Sequence, residues 1–291
     1  MTAQDQSGND PSKTPGPRRL FDGRTLDGWH AVPRTYGTVW PGGPTVSEAH
    51  PAFTAEQAEL AEKYPARWAV VDGAIEGFQD PAHPGLGGYL VSDEAYRDFE
   101  LSLEMKPDWP ADTGVMIRRR PDSWHGFQVL VDHRKSGSIG GFYGNGLAGF
   151  HAVPYLLDVT TGPDGHPDGL ALEDPATTSE PMTQQKQAML SESGDAEAFL
   201  AAWHWQGWNA LRIRCVGARP TITTWVNDVL VASIDTAAIR HPHYDAAQVA
   251  DLLGPAGHIA FEVHDNDATF GDARWARGAR CRWRDVVLTP L

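Results

Sequence analysis

Phe99-Glu100-Leu101-Ser102-Leu103-Glu104-Met105-Lys106 decides the fold class. Apolar and polar residues alternate strictly, so Leu101, Leu103 and Met105 share one face and Glu100, Ser102, Glu104 and Lys106 the other. A helix would scatter these residues around its axis; a half-buried strand sorts them. The same rhythm recurs in both directions. Working outward, the candidate strands are Trp68–Val71, Gly88–Ser92, Phe99–Lys106, Thr113–Arg119, Gly126–Asp132, Ser138–Tyr143, Ala210–Val216, Thr221–Val226, Val229–Ile234, His258–His264 and Cys281–Leu288. They are short and punctuated by Gly, Asp and Pro. Asn227-Asp228 reads as a two-residue hairpin turn. Many short strands with few helices between them predict an all-β, double-sheet antiparallel sandwich of jelly-roll type.

Helices read as insertions. Thr54 with Gln57 forms a capping box for a helix through about Lys63, Asp195 caps Ala196–Trp203, and Asp245 opens a short helix stopped by Gly254-Pro255. The span 154–206 lacks strand rhythm and is rich in turn formers. It reads as a long, partly helical excursion from the sheet, of the kind that lies over a site as a lid. Residues 1–18, polar and rich in Pro, Ser and Gly, read as a disordered tail, leaving 19–291 as a single domain. No internal repeat is visible.

The chain has 291 residues, 41% hydrophobic, with a formal net charge of −14. That is ample for a core, and the acidic balance without any basic run argues against nucleic acid and anionic membrane surfaces as partners. No apolar run reaches the length of a membrane span. The N-terminus lacks the apolar stretch of a secretory leader, so a cytoplasmic location is expected. The two cysteines, Cys215 and Cys281, lack metal-type spacing. Eleven tryptophans are many for this length, and most of them are expected in the core. One or two are expected to line a groove, because indole faces stack on sugar C–H faces.

Strand parity assembles a polar set: Glu104, Arg118, Gln128, Asp132, Glu262 and His264. A solvated outer face usually mixes Lys, Thr, Ser and Glu. This set instead combines carboxylates, a guanidinium, an amide and an imidazole, as a functional groove would.

Eight segments in order resemble the DUF1080 family, the 3-keto-disaccharide hydrolase-like domain. Leu20-Phe21-Asp22-Gly23-Arg24-Thr25-Leu26-Asp27-Gly28-Trp29 resembles its opening motif. Trp68-Ala-Val-Val-Asp72-Gly73 is similar to its Trp-x-Val-x-Asp-Gly strand, and Tyr96-Arg-Asp98-Phe99-Glu100-Leu101 to Tyr-x-Asp-Phe-Glu-Leu. Thr113-Gly114-Val115-Met-Ile-Arg118 resembles Asn-Ser-Gly-x-x-x-Arg, with Asp112-Thr113 replacing Asn-Ser. Gln128 through Asp132 matches the Gln-x-x-Asp part of another motif approximately. Gly207-Trp208-Asn209, with Trp225-Val-Asn227, resembles a Glu-Trp-Asn…Asn-Gly hairpin. Gly257-His-Ile259-Ala-Phe261-Glu262-Val-His264 resembles Gly-x-Ile-x-Leu-Gln-x-His, with Glu262 for Gln. Trp283-Arg284-Asp285-Val286 resembles Phe-Arg-Asn-Ile.

The resemblance implies a concanavalin A-like lectin/glucanase sandwich and cleavage of glycosides oxidised at C3. Such chemistry needs a base for the C2 proton, a donor for the enolate oxygen and an acid for the leaving group. On that basis Asp132 or Glu104 is the expected base, His264 the acid/base shuttle and Arg118 the oxyanion clamp. Gln128, Glu262 and Trp208 are expected to bind the sugar. No cofactor is specified; a divalent metal ion is one way to hold the enolate oxygen. His241-Pro-His243 and Asp265-Asn266-Asp267 read as loop and turn segments. Three other functions remain open at this point: a two-carboxylate glycosidase, a non-catalytic carbohydrate-binding module, and a structural or interaction domain.

Overall fold

The structure, a computed structural model, describes residues 16–50 and 54–291. Fifteen residues of the expected tail lie outside that range. In chain order the strands are β1 (Arg18–Arg19), β2 (Trp29–Pro33), β3 (Arg67–Val71), β4 (Ala74–Phe78), β5 (Gly88–Tyr96), β6 (Phe99–Pro107), β7 (Thr113–Arg119), β8 (Gly126–Val131) and β9 (Ile139–Asn145). They continue as β10 (His151–Ala152), β11 (Leu157–Thr161), β12 (Pro167–Leu172), β13 (Glu192–Ser193), β14 (Asn209–Val216), β15 (Thr221–Val226), β16 (Val229–Asp235), β17 (Gly257–Val263) and β18 (Cys281–Pro290). Five short α-helices intervene: α1 (Val46–Ala49), α2 (Ala55–Lys63), α3 (Gln184–Ala188), α4 (Ala196–Ala202) and α5 (Ala246–Leu253).

Two antiparallel sheets face each other. The first runs β13-β16-β15-β14-β6-β18-β4-β3, with β1 also on β18; the second runs β10-β9-β8-β7-β17-β5-β2. The chain crosses between the sheets from β4 through β5 and β6 to β7 and again from β16 through β17 to β18, as in a jelly roll, and the fold is the all-β, concanavalin A-like sandwich.

Local chemistry explains the elements. Asp72 and Gly73, at φ 50° and 77°, make the turn joining β3 to β4; Asn227 and Asp228, at 47° and 65°, do the same for β15 and β16. Asx and Gly residues tolerate that left-handed backbone, which suits the twist of a two-residue hairpin. Thr54 and Gln57 form a reciprocal capping box at α2, and the Asp195 and Asp245 side chains accept backbone N–H groups at α4 and α5. The Asp22 carboxylate accepts from the backbone N–H of Arg24 and Thr25 at 2.7 and 2.8 Å, closing the opening turn.

The inward faces of the two sheets form the core, including Leu101, Leu103, Met105, Ile213 and Cys215 from the first and Val115, Val129, Val131, Ile259 and Phe261 from the second. An aromatic row crosses it. Trp29 stacks on Phe261 (centroids 5.2 Å apart), Phe261 on Trp283 (4.8 Å), and Trp283 meets Trp68 at 5.8 Å.

Two readings need correction. The span 154–206 is not strandless, because β11 and β12 pair as a separate hairpin within it. Leu157-Asp-Val-Thr-Thr and Pro167-Asp-Gly-Leu-Ala-Leu alternate too weakly to signal strands. In addition, the two outer sheet faces differ. Glu100, Ser102, Glu104 and Lys106 of β6 are half-buried or exposed, whereas every residue of β7 and β8 is buried. The outer face of the second sheet is therefore covered rather than solvated.

The aromatic row predicts one stability result. Phe261→Ala should cost about 3–5 kcal/mol, read as a lowered urea midpoint with an unchanged slope; an unchanged midpoint would show that the row carries no such load.

Candidate active site

A cavity of about 450 Å³ lies on the covered face of the second sheet. This is within the usual size of a small-molecule site. Alternation along β8 points Phe127, Val129 and Val131 into the core and Gln128 and Leu130 at the cavity, with Asp132 just past the strand end. On β17, Phe261 points inward and Glu262 lies behind the cavity floor, followed by His264 on its wall. Gly114 of β7 makes room, since a Cβ there would lie 2.6 Å from the Gln128 amide nitrogen.

Glu262 has no solvent exposure. Its Oε1 accepts from Arg34 Nε at 2.7 Å and its Oε2 from the Gln128 amide. Asn145 donates to Gln128 Oε1 at 2.9 Å, extending the network to β9. The rest of the Arg34 fork serves Asp265 (Nη1 to Oδ1, 2.6 Å) and His264 (Nη2 to Nε2, 2.9 Å). A guanidinium only donates, so Nε2 of His264 accepts and its ring proton sits on Nδ1, which donates to the Asp265 carbonyl at 2.6 Å. Tyr36 donates to the Asp265 carboxylate at 2.8 Å.

Beside this network stand two buried carboxylates. Arg134 Nη2 reaches Asp132 Oδ2 at 2.7 Å and Asp112 Oδ2 at 3.1 Å, and Arg274 Nη1 reaches Asp112 Oδ2 at 2.6 Å. The Phe270 ring lies near both guanidinium carbons, 5.3 Å from that of Arg134 and 4.7 Å from that of Arg274. Burial alone would raise Asp112, but the Arg134 and Arg274 guanidiniums in contact with it overturn this and hold the carboxyl well below the usual range. Asp132 has fewer cations beside it. Burial, reinforced by the negative Asp112, pushes it up to about 6 despite Arg134. Two like groups sharing a site are thereby driven apart, one fixed as an anion and one able to take a proton near neutrality.

The remaining walls mix aromatic and polar groups: Tyr36, Trp124, Tyr143, His151 and Glu180. Tyr36 and Trp124 meet edge to face at 5.0 Å. Burial, with Lys186 nearby, depresses His151 to about 4, so it is neutral at pH 7.

The structure brings Gln128, Asp132 and His264 to the cavity, with Glu262 immediately behind it. It does not bring Glu104, Arg118 or Trp208 there. Glu104 belongs to β6 of the first sheet, where it pairs with Arg284 at 2.5 Å, and Arg284 in turn stacks on Trp208. Parity assigns a residue to a face but not to a sheet, so residues from the two outer faces were pooled. Arg118 fails for a different reason. It sits at φ 51°, where β17 slips register against β7 between His258 and Ala260. A bulge re-aims the side chain, and Arg118 instead donates to the Pro255 carbonyl, to Asp98 Oδ1 (3.0 Å) and to the Gly217 carbonyl (3.2 Å).

Arg34, Tyr36, Asp112, Trp124, Arg134, Arg274 and Asp265 were missed. Most stand in loops beyond strand ends, where alternation says nothing; only Asp112 carried a signal, as a departure from the resembled motif. Among the described residues no three His, Cys, Asp or Glu side chains converge as metal ligands. The turn reading of Asp267 agrees with its acceptance of the Thr269 and Phe270 N–H groups, and His243 of the histidine pair stacks on Trp40 at 4.0 Å.

A family model described as a 3-keto-alpha-glucoside-1,2-lyase-like domain matches residues 16–285. No curated protein matches the chain. Solved structures with a similar arrangement include a putative glycosyl hydrolase from Parabacteroides distasonis, at 14% identity and TM-score 0.45, covering 95% of this chain and 94% of that one. A carbohydrate binding module from Bacillus subtilis follows at 12% and 0.41, covering 77% and 91%. A β-glucanase from Bacillus licheniformis stands at 10% and 0.43, covering 96% and 100%.

The buried ion network predicts that Arg34→Met costs about 3–5 kcal/mol, because Glu262 and Asp265 lose their cation. The double change Arg34→Met with Glu262→Gln should recover part of that loss in urea unfolding; a double mutant as unstable as the sum of its parts would refute the coupling.

Proposed function

Taking as premise that the chain belongs to the 3-keto-alpha-glucoside-1,2-lyase-like domain family and that its function is carbohydrate-related, we propose that it cleaves 3-keto-glycosides by elimination. The observation that carries this reading is Asp132, a buried carboxylate raised to about 6 that lines a sugar-sized cavity. A ketone at C3 makes the C2 proton acidic, because the electron pair left behind delocalises onto oxygen. Asp132 takes that proton. The enolate collapses to form C1=C2, and the C1–O bond breaks with its electrons leaving on the glycosidic oxygen. His264, its Nε2 held by Arg34 and its one ring proton by the Asp265 carbonyl, lines the wall on the leaving-group side, and the proton this oxygen needs is the one that Asp132 has just taken from C2. Water added across the new double bond completes a net hydrolysis.

The clamp role passes from Arg118 to Arg134 and Arg274. Both guanidiniums line the cavity beside Asp132; the buried Nε of Arg134 has no hydrogen-bond partner among the described residues, while that of Arg274 is held 2.7 Å from Asp267. N–H groups held in place beforehand stabilise a developing oxyanion more than mobile water does. Asp112, anionic and held by both arginines, fixes their orientation.

Incubation with methyl 3-keto-α-glucoside and with its unoxidised parent tests this. Turnover of the oxidised sugar alone is expected. Turnover of the parent would support a two-carboxylate glycosidase, and binding without turnover a binding module. Asp132→Asn should lower kcat about 10²–10⁴-fold, while Glu104→Gln, on the other sheet, should stay within threefold of wild type.

The pH dependence follows from the same shift. The base must be ionised, so kcat/KM should rise through about pH 6 and fall below it. Folding favours protonated Asp132, so its contribution to stability is complete below about pH 4 and lost as pH rises through about 6. Asp112 runs the opposite way: its contribution is present above about pH 4 and lost as pH falls further. An acid limb unchanged in Asp132→Asn would remove this residue from the base role.

A further inference from the structure

The carboxylates on the cavity floor are already engaged by cations. Arg34 pairs with Glu262 and Asp265, Arg134 with Asp112 and Asp132, and Arg274 with Asp112 and Asp267. Glu180 differs. It lines the same cavity and is half-buried, yet among the described residues no cation lies within ion-pair distance of its carboxylate. An acceptor that faces a ligand cavity without a protein partner is placed to receive hydrogen bonds from the ligand.

Its backbone is firmly fixed. Ser136, at φ 61°, accepts from the N–H groups of Ser179 and Glu180, each at 3.0 Å, and donates to Glu173 Oε1 at 2.5 Å. Lys135 adds bonds to Asp158 Oδ2 at 2.6 Å and Thr177 Oγ1 at 2.9 Å. Met182 packs with Leu130, Tyr143, Val153 and Leu156. The segment after β12 is thus stapled to the loop that carries Asp132 and Arg134, and Glu180 enters the cavity beside the wall formed by Tyr143 of β9. His264 stands at the end of β17, a strand that lies three strand spacings, about 14 Å across the sheet, from β9.

That separation assigns the ends of the sugar. With C1 and its leaving group turned toward His264, C4 lies across the pyranose ring from C1 and turns toward Glu180. We propose that Glu180 is a substrate-binding residue that accepts hydrogen bonds from hydroxyls on the C4–C6 side of the sugar, with Ser136 as its positioning residue. The assignment rests on the elimination reading for the orientation of the ring. It gives the excursion from the sheet a purpose: the excursion supplies a specificity group that the sheet itself does not carry.

The test is a cycle of protein and ligand deletions. Calorimetry would use the protein with Asp132→Asn to prevent turnover, and the probes methyl 3-keto-α-glucoside and its 4-deoxy and 6-deoxy analogues. Loss of a hydrogen bond to a charged acceptor should raise Kd about ten- to hundredfold for at least one analogue. Adding Glu180→Ala should weaken the parent probe by the same factor and erase the deoxy penalty to within twofold. Glu180→Gln, which retains an acceptor oxygen, should fall between, and Ser136→Ala should reproduce the pattern in part. A deoxy penalty fully retained without Glu180, or a parent Kd unchanged by its removal, overturns the assignment even if the wild-type chain turns the 3-keto probe over. Conversely, the expected Kd pattern with no wild-type turnover keeps Glu180 and removes the elimination chemistry. Absence of binding by any probe overturns both.

Discussion

A carboxylate with no solvent exposure needs a cation and hydrogen bonds beside it, and Glu262 obtains both from residues distant in the chain. Arg34 extends from the end of β2, Gln128 from β8, and Asn145 steadies Gln128 from β9. Removing one partner would leave charge stranded in a medium that solvates it poorly. The requirement therefore ties the edge strand, the centre and the far side of the second sheet to one point. Because the same guanidinium also holds Asp265 and His264, the arrangement of the cavity wall follows from satisfying a buried charge behind it.

A second consequence concerns Asp112 and Asp132. They lean on one nitrogen of Arg134, so they appear equivalent, but Arg274 touches only Asp112. This inequality is local and small in geometric terms. In a buried setting it suffices to separate their proton affinities, since each additional cation at contact distance acts through little screening. The anionic partner then raises the other. A site needing one permanent anion and one reversible base gains both from an uneven distribution of two arginines.

The fold was legible because alternation is a local signal that survives without knowledge of the partners. The strands Thr113–Arg119 and Thr221–Val226 appear in the structure with the bounds read from the sequence. Much of the motif resemblance was likewise a core signal: Trp29, Trp68, Phe261 and Trp283 all belong to the matched segments and meet as the aromatic row. The site was less legible. Parity could not say that Glu104 and Asp132 stand on different sheets. It assumed an unbroken pleat at Arg118, where a left-handed residue and a register shift break it. Arg34, Arg134 and Arg274 act from loops, whose side-chain directions no period encodes. Asp285, which replaces an Asn of the resembled motif near Trp283, lies on an exposed turn of β18 paired with Arg19 rather than in the cavity. The departure at Glu262, in contrast, touches the site directly.

That departure bears on the chemistry. With a glutamine at position 262 the floor would carry one negative charge fewer; with glutamate, the cavity and its floor hold six carboxylates, Asp112, Asp132, Glu180, Glu262, Asp265 and Asp267, against three guanidiniums. A site with surplus negative charge in a poorly solvated space must relieve it, and the group that yields is the one with the weakest cationic support. Arg34 is committed to Glu262 and Asp265, and Arg274 to Asp112 and Asp267. Glu180, half-buried on the cavity wall, keeps contact with solvent. Asp132, buried and sharing Arg134 with Asp112, is left to carry the excess as a raised proton affinity. The basicity that the proposed elimination requires is thus a property of the whole charge arrangement rather than of Asp132 alone.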